Sequence, residues 1–502
     1  MATLVGNLDA IQSRLDALAR QHRVPGASLG VLDGDSFAEA VTGVANRNTG
    51  VEVTPETLFQ IGSNTKIYTS TLVMQLVDEG KVDLDARVQR YVKGFTLADA
   101  EAAKKITVRM LLTHTSGIEG DYFDDFGWGD DSLERYVESL SEIGAIHPPG
   151  ERWSYCNSGF CLAGRLVEIV DDKPFHQALS ERILEPLKLK RTTVSPHEML
   201  AHRYAVGHVA GPNGDEPSVP PVVLMSRSQA PAGSLTSSTA REVLRFVRMH
   251  LDEGRGRDGK RLLKADTARA MQEAQVKRPP ILGREGTMGL GWILDEWDGQ
   301  RVIGHGGGTV GQLSFLQVLP DRRFGICLLT NSTTGGALWN DLARWLFSEL
   351  AGVEMPEPAK APDVPPQLDL RRYRGKYVRL GVEIEVGVGD GELEATMRPT
   401  GALASLGQEQ TFRLRPIDAE RFTAEGQIGL FVDFDRNGRP GGLHLGRYAP
   451  RVRTKAKPKS KATAKRKATA KRKAPTKRKA PIKREAPIKR KAPAKRKVTS
   501  RR

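Results

Sequence analysis

Phe59-Gln60-Ile61-Gly62-Ser63-Asn64-Thr65-Lys66 places a serine and a lysine three positions apart at the head of an apolar run. If a helix begins near Ser63, residues i and i+3 share a face, and the Lys66 amine lies beside the Ser63 hydroxyl. Free backbone N–H groups at a helix start favour negative charge, which is what a carbonyl oxygen develops under attack. The stretch therefore has the geometry and the electrostatics of a nucleophile. Alone it is weak: Ser-x-x-Lys turns up roughly once or twice by chance in a chain of this length, and an ordinary capped helix start reads the same way.

The flanking pattern gives the nucleophile a scaffold. Leu8, Ile11, Leu15 and Leu18 repeat at helical spacing, and Pro25-Gly26 stops that helix. Ala27 to Leu32 and Phe37 to Val44 are apolar runs joined by Asp33-Gly34-Asp35, which predicts a β-hairpin. Behind Ser63, the residues Ile67, Leu72, Leu76 and Val77 predict a helix that is amphipathic or fully buried. From Lys81 to Val170 the pattern is mostly helical, broken by loops.

Two more constellations follow. Trp153-Ser154-Tyr155-Cys156-Asn157 comes after a Pro-Gly turn and before an apolar helix, Phe160 to Val170, and holds the only Tyr-x-Asn of the chain. A tyrosine on such a loop can approach Ser63 as a proton acceptor, and Asn157 can hold Lys66 or a substrate amide; a half-buried tyrosine with a satisfied hydroxyl is the plainer reading. The third is Val302-Ile303-Gly304-His305-Gly306-Gly307-Gly308, between strand-like runs at 289–294, 313–319 and 324–329. Glycines in an edge strand let a substrate backbone come close, and an N–H there can complete an oxyanion hole. A phosphate loop is excluded, since no Gly-Lys-Ser/Thr follows and no helix opens directly after the glycines.

In the order Ser-x-x-Lys, Tyr-x-Asn, His-x-Gly, the chain resembles the serine beta-lactamase and penicillin-binding-protein superfamily, in the branch of class C beta-lactamases, D-alanyl-D-alanine carboxypeptidases and related esterases and D-amino-acid peptidases. Leu112-Thr113-His114-Thr115-Ser116-Gly117, Ala232-Gly233-Ser234-Leu235 and Gly289-Leu290-Gly291-Trp292 add to the resemblance, which spans about residues 5 to 352. It implies an α+β fold: an antiparallel sheet flanked by helices, with an inserted helical region. It also implies Ser63 as the acylated nucleophile, Tyr155 as general base with Lys66 keeping the proton traffic, and Asn157 on the substrate. The residues alone leave open whether Lys66 or Tyr155 takes the proton. Gly307 and Gly308 belong to the substrate and oxyanion side, with the N–H groups of Ser63 and Gly308 forming the hole. A cation beside a phenol should lower the Tyr155 pKa, and desolvation that of Lys66. His305 departs from the lactamases and many of the penicillin-binding proteins, which keep a permanent lysine cation at the start of this motif. A histidine is charged only part of the time near neutrality, which predicts a weak carboxylate clamp and a bias toward an esterase or peptidase acting on a small ester, amide or short peptide. The alternatives are a beta-lactamase or carboxypeptidase, and a nucleic-acid-associated protein with an idle hydrolase scaffold.

His197-Glu198-Met199-Leu200-Ala201-His202 nearly matches a zinc-protease motif, but an i,i+5 pair cannot share a helix face. No metal or cofactor is expected. The three cysteines, Cys156, Cys161 and Cys327, have no ligand spacing and suit a reducing compartment. The first residues show no basic leader or apolar core, and no run of about 20 apolar residues occurs, so the expectation is a cytoplasmic protein.

The hydrolase domain is expected over residues 1–354, a proline-rich linker over 355–369, and a small antiparallel β domain over 370–450, which resembles the lipocalin-like domain often appended to these hydrolases. Residues 451–502 carry 25 Lys or Arg and one acid, Glu485, so they hold +24, while the other 450 residues, with 51 bases and 59 acids, hold −8. From Lys461 the tail divides into seven hexads patterned on Lys-Ala-x-x-Lys-Arg, with proline at 475, 481, 487 and 493. Such composition predicts disorder and, as in the linker-histone tails it resembles, binding to DNA or another polyanion by counterion release, with nucleoid association as a consequence.

Overall fold

The turn after Asp33 closes the expected hairpin: Gly26–Asp33 pairs antiparallel with Ser36–Asn46, Asp33 stands opposite Ser36, and Gly34 takes φ +58°, which glycine adopts without strain. In this computed structural model, which describes residues 4–452 except 212–214, 282–283, 406–407 and 425–427, the hairpin belongs to a nine-stranded sheet. Its spatial order is Val51–Glu52, Ser36–Asn46, Gly26–Asp33, Phe324–Thr330, Gln312–Leu319, Gln300–Thr309, Ile293–Trp297, Arg284–Met288, Val276–Ile281. Each neighbouring pair runs antiparallel.

Alternation along the central strands buries both faces. Ala27, Leu29, Val31, Ile326 and Leu328 enter one core with Ile11, Leu15, Leu338 and Leu342 of the helices Leu8–Gln21 and Gly335–Leu346. Leu32, Cys327 and Leu329 enter the other, with Ile67 and Leu72 of Thr65–Asp78 and Leu244 of Ala240–Leu251. Every residue from Thr65 to Leu76 is buried, so the helix behind Ser63 is a fully buried one.

Two strand expectations are corrected. The run at 289–294 is a strand only from Ile293, because Gly291 at φ +86° turns the chain against the Thr65–Asp78 helix, where a Cβ would meet Ser70 Oγ at 2.2 Å. The glycine strand Gln300–Thr309 is interior, not an edge: Gln312–Leu319 pairs with it as far as Thr309. On its other side the pairing with Ile293–Trp297 stops at Gly304, so His305 to Thr309 run past the end of that neighbour.

Residues 352–369 form no helix or strand, yet they pack on the body: Val353 and Met355 join the core with Leu346, and Arg344 Nη1 donates to the Met355 carbonyl at 2.9 Å. Eight antiparallel strands from Gly375–Arg379 to Tyr448–Pro450 follow in sequence order, around Tyr373, Tyr377, Ile384, Leu414, Phe422 and Val432. A bridge between Tyr377 and Arg451, and a bond from Val452 N to Lys376 O at 2.8 Å, nearly close the sheet into a barrel. Arg451 and Val452, expected in the tail, therefore belong to the barrel. The hexad repeat lies outside the described residues. Among these, no helix is long and apolar enough to cross a membrane.

Candidate active site

Ser63 stands in one tight turn, Gly62–Asn64, directly before the helix Thr65–Asp78. Buried hydrogen bonds fix the turn: Thr65 Oγ1 donates to Gly62 O, Asn64 Nδ2 to Ser314 Oγ and Ser314 Oγ to Ile61 O, each at 2.7 Å. Gly62 has φ +51°, and a Cβ there would meet the Gly308 nitrogen at 2.5 Å. The serine turn and the glycine strand can touch only because position 62 has no side chain.

One helical turn on, Lys66 is completely buried. Its Nζ donates to Ser63 Oγ at 3.0 Å, to Asn157 Oδ1 at 2.8 Å and to Ala232 O at 2.6 Å. Burial lowers its pKa to about 7; Cys161, Cys156 and Asp121 oppose the shift and Arg447 adds to it. The Asn157 and Ala232 oxygens can only accept, so they occupy two N–H groups. In the neutral amine, the position facing Ser63 is then left to the lone pair. Such an arrangement can act as a base on a nucleophile.

Tyr155 lies on the loop before the helix Asn157–Asp171, its ring tilted 32° against that of His114 with centroids 4.3 Å apart. His114 Nδ1 accepts from Cys156 N at 2.9 Å and so fixes the loop; burial holds the His114 pKa well down, with Lys66 the next cause. The Tyr155 hydroxyl is buried beside Ser63 and has no formed hydrogen bond. The expectation that a cation would lower this phenol is overturned. Burial raises its pKa strongly and outweighs the opposing pull of Ser63 and Arg447, while Lys66 Nζ faces the ring, 4.9 Å from its centroid.

His305 also departs from the sequence reading. It is buried, its Nδ1–H donates to Gly306 O at 2.6 Å, and burial, with Lys66 as second cause, brings its pKa to about 3. It is a neutral imidazole across the physiological range, with Nε2 left as an acceptor.

Ser63, Tyr155, Asn157, His305, Gly307 and Gly308 line one cavity of about 510 Å³, together with Phe123, Trp153, Met225, Ile293, Leu313 and Phe315. The sequence reading brought the first six together in space but missed three participants. Ala232 acts through its carbonyl and was noted only as part of a family-like stretch. Asp121 and Arg447 carried no signal, because residues so far apart in sequence meet only in the folded chain. His197 is exposed on the short helix Pro196–Met199, and no group of three or more His, Cys, Asp or Glu among the described residues could hold a metal ion.

A family model described as Beta-lactamase matches residues 10–382. Penicillin-binding protein 4 of Amycolatopsis lactamdurans is 43% identical over 373 residues, covering 74% of this chain and 97% of that protein. The crystal structure of SurE superposes with a TM-score of 0.72 at 28% identity, covering 90% of this chain and 100% of the other. The D-amino acid amidase from Ochrobactrum anthropi SV3, complexed with L-phenylalanine, gives a TM-score of 0.53 at 27% identity, covering 64% of this chain and 90% of the other.

Proposed function

The chain belongs to the beta-lactamase family of serine hydrolases, and from that premise we propose that it cleaves an ester or amide of a small acyl substrate, of the esterase or D-amino-acid amidase type, through an acyl-enzyme on Ser63. The observation that carries the reading is the Lys66 amine, which is buried, brought to a pKa of about 7 and aimed at Ser63. Near neutral pH the free base is therefore readily populated. In the proposed cycle Lys66 takes the Ser63 proton as Oγ attacks the carbonyl carbon, and the backbone N–H groups of Ser63 and Gly308 receive the oxyanion. Tyr155, protonated in the resting state, then gives its proton to the leaving group and is reprotonated from Lys66. Water releases the acyl group by the reverse proton path.

The apolar cavity favours an acyl group with a hydrophobic side chain. The amidase relative, and a second SurE structure with D-Leu, support D-amino-acid derivatives as the first class to try. A neutral His305 offers no cation to a beta-lactam carboxylate, which speaks against beta-lactam specialism. The test is a panel of D- and L-amino-acid p-nitroanilides, neutral p-nitrophenyl esters and a chromogenic cephalosporin. Turnover of the cephalosporin above all the others would contradict the proposal.

The separate charge of the C-terminal segment supports a second function. We propose that residues 453–502 bind DNA or another polyanion electrostatically, independently of the hydrolytic site.

A further inference from the structure

Asp121 is a carboxylate whose side chain is 4% exposed, and it sits where the hydrolase core meets the barrel. Its Oδ1 accepts from Asn157 Nδ2 at 3.3 Å. Its Oδ2 accepts from Arg379 Nη1 and lies 2.8 Å from Arg447 Nε. Arg379 ends the barrel strand Gly375–Arg379, and Arg447 lies between the barrel strands Pro440–His444 and Tyr448–Pro450. On the same side, barrel backbone is bonded to the neighbouring segments: Leu380 N donates to Glu119 Oε1 at 3.1 Å, Tyr448 N to Ser154 Oγ at 3.1 Å, and Gly446 O accepts from Tyr155 N at 3.3 Å.

An amide side chain has a donor end and an acceptor end, and a carboxylate can only accept. Asp121 therefore holds the Asn157 amide with Nδ2 toward itself and Oδ1 toward Lys66. Turned over, the amide would set oxygen against carboxylate and N–H against ammonium. The orientation of Asn157 in turn decides which side of the Lys66 amine is left for Ser63.

We propose that Asp121 is a positioning residue of the hydrolytic centre, fixed by Arg379 and Arg447 of the barrel, so that the barrel completes the orientation of Asn157 and Lys66. The inference rests on the assignment of Ser63 and Lys66 above. A carboxylate buried this deeply needs counter-charges. Two arginines supply them.

A distinctive test follows, because Asp121 and Arg447 act on the Lys66 ammonium with opposite signs. The other groups facing Lys66 stay neutral between pH 5 and about 9: burial raises Tyr155, takes Cys156 to about 11 and Cys161 to about 12, lowers His114 strongly and takes His305 to about 3. Glu119, pushed by burial to about 7, faces Arg379 and Asp121, so its own titration also moves in Asp121→Asn.

The full-length protein, Asp121→Asn and Arg447→Gln are assayed with p-nitrophenyl acetate, a neutral ester, from pH 5 to about 9. The wild-type rate rises through the Lys66 titration. In Asp121→Asn that rise moves to lower pH by about half to one unit, and the plateau falls about tenfold, less than the loss of the base itself would cost. In Arg447→Gln the rise moves to higher pH by a similar amount. Limbs that stay in place, or that move in the same direction, overturn the inference. Should Asp121→Asn fail to fold, Arg447→Gln alone decides by the direction of its shift, its side chain being 26% exposed. A wild type with no acid limb and no modification of Ser63 would instead contradict the hydrolase reading beneath it.

Discussion

Replacing Lys66 by methionine keeps the length of the side chain and removes the buried amine, so the change isolates the cost of a buried charge. In the unfolded chain the amine titrates near 10.5 and in the folded chain near 7. Between those values the unfolded state binds more protons, so stability rises with pH across that window. Below about 7 the folded protein carries the whole penalty of a buried ammonium. Integrated from pH 6 to 9, one group with these values gains about 2.6 kcal/mol. Removing the amine also strips partners from the Asn157 and Ala232 oxygens, a cost of about 1–3 kcal/mol each, but that cost is independent of pH and cancels in the comparison. Urea unfolding followed by tryptophan fluorescence, at pH 6 and pH 9, measures it for both proteins. The wild type should gain about 2–3 kcal/mol more than Lys66→Met on going to pH 9. Identical pH dependence in the two would refute a lysine held near neutrality. The same shift supplies about 10³-fold more free base at pH 7 than a solvated lysine has.

Tyr155→Phe should lower acylation of Ser63 by roughly 10²-fold or more, read as the rate of fluorophosphonate labelling, and leave a protein that still folds. Because His305 is a neutral imidazole, the KM for an acidic substrate should show no inflection attributable to a histidine between pH 5 and about 8; loss of affinity through pH 6–7 in the wild type but not in His305→Gln would count against this. Deleting residues 453–502 should abolish DNA binding and leave turnover of a neutral ester unchanged. In the full chain, affinity should fall by roughly 10³ to 10⁵ between 50 and 200 mM salt if about 6 to 10 cations engage phosphates, and gel shifts that survive truncation or ignore salt would rule the tail out.

Local rules made much of this architecture legible. Ser63 and Lys66 are joined by helical spacing, Tyr155 and Asn157 by a Pro-Gly turn and a helix start, and the Asp33-Gly34-Asp35 turn announces its own hairpin. What could not be read is electrostatic and non-local. Whether a histidine is charged depends on what covers it: His305 is neutral because the strand and Lys66 enclose it, and no motif states that. The expectation for Tyr155 fails for the same reason, since the desolvation of its hydroxyl outweighs nearby positive charge. Arg379 and Arg447 read as ordinary barrel residues until folding brings both to Asp121. The glycine strand reads as an edge because pairing that stops halfway, at Gly304, leaves no trace in the sequence.

The central claim is that Ser63 is acylated. Incubation with a fluorophosphonate, followed by proteolysis and mass spectrometry, should find one modified site on the peptide containing Gly62-Ser63-Asn64, and Ser63→Ala should lose both the label and the hydrolysis of p-nitrophenyl acetate. Label on another residue, or full hydrolysis in Ser63→Ala, would contradict the account.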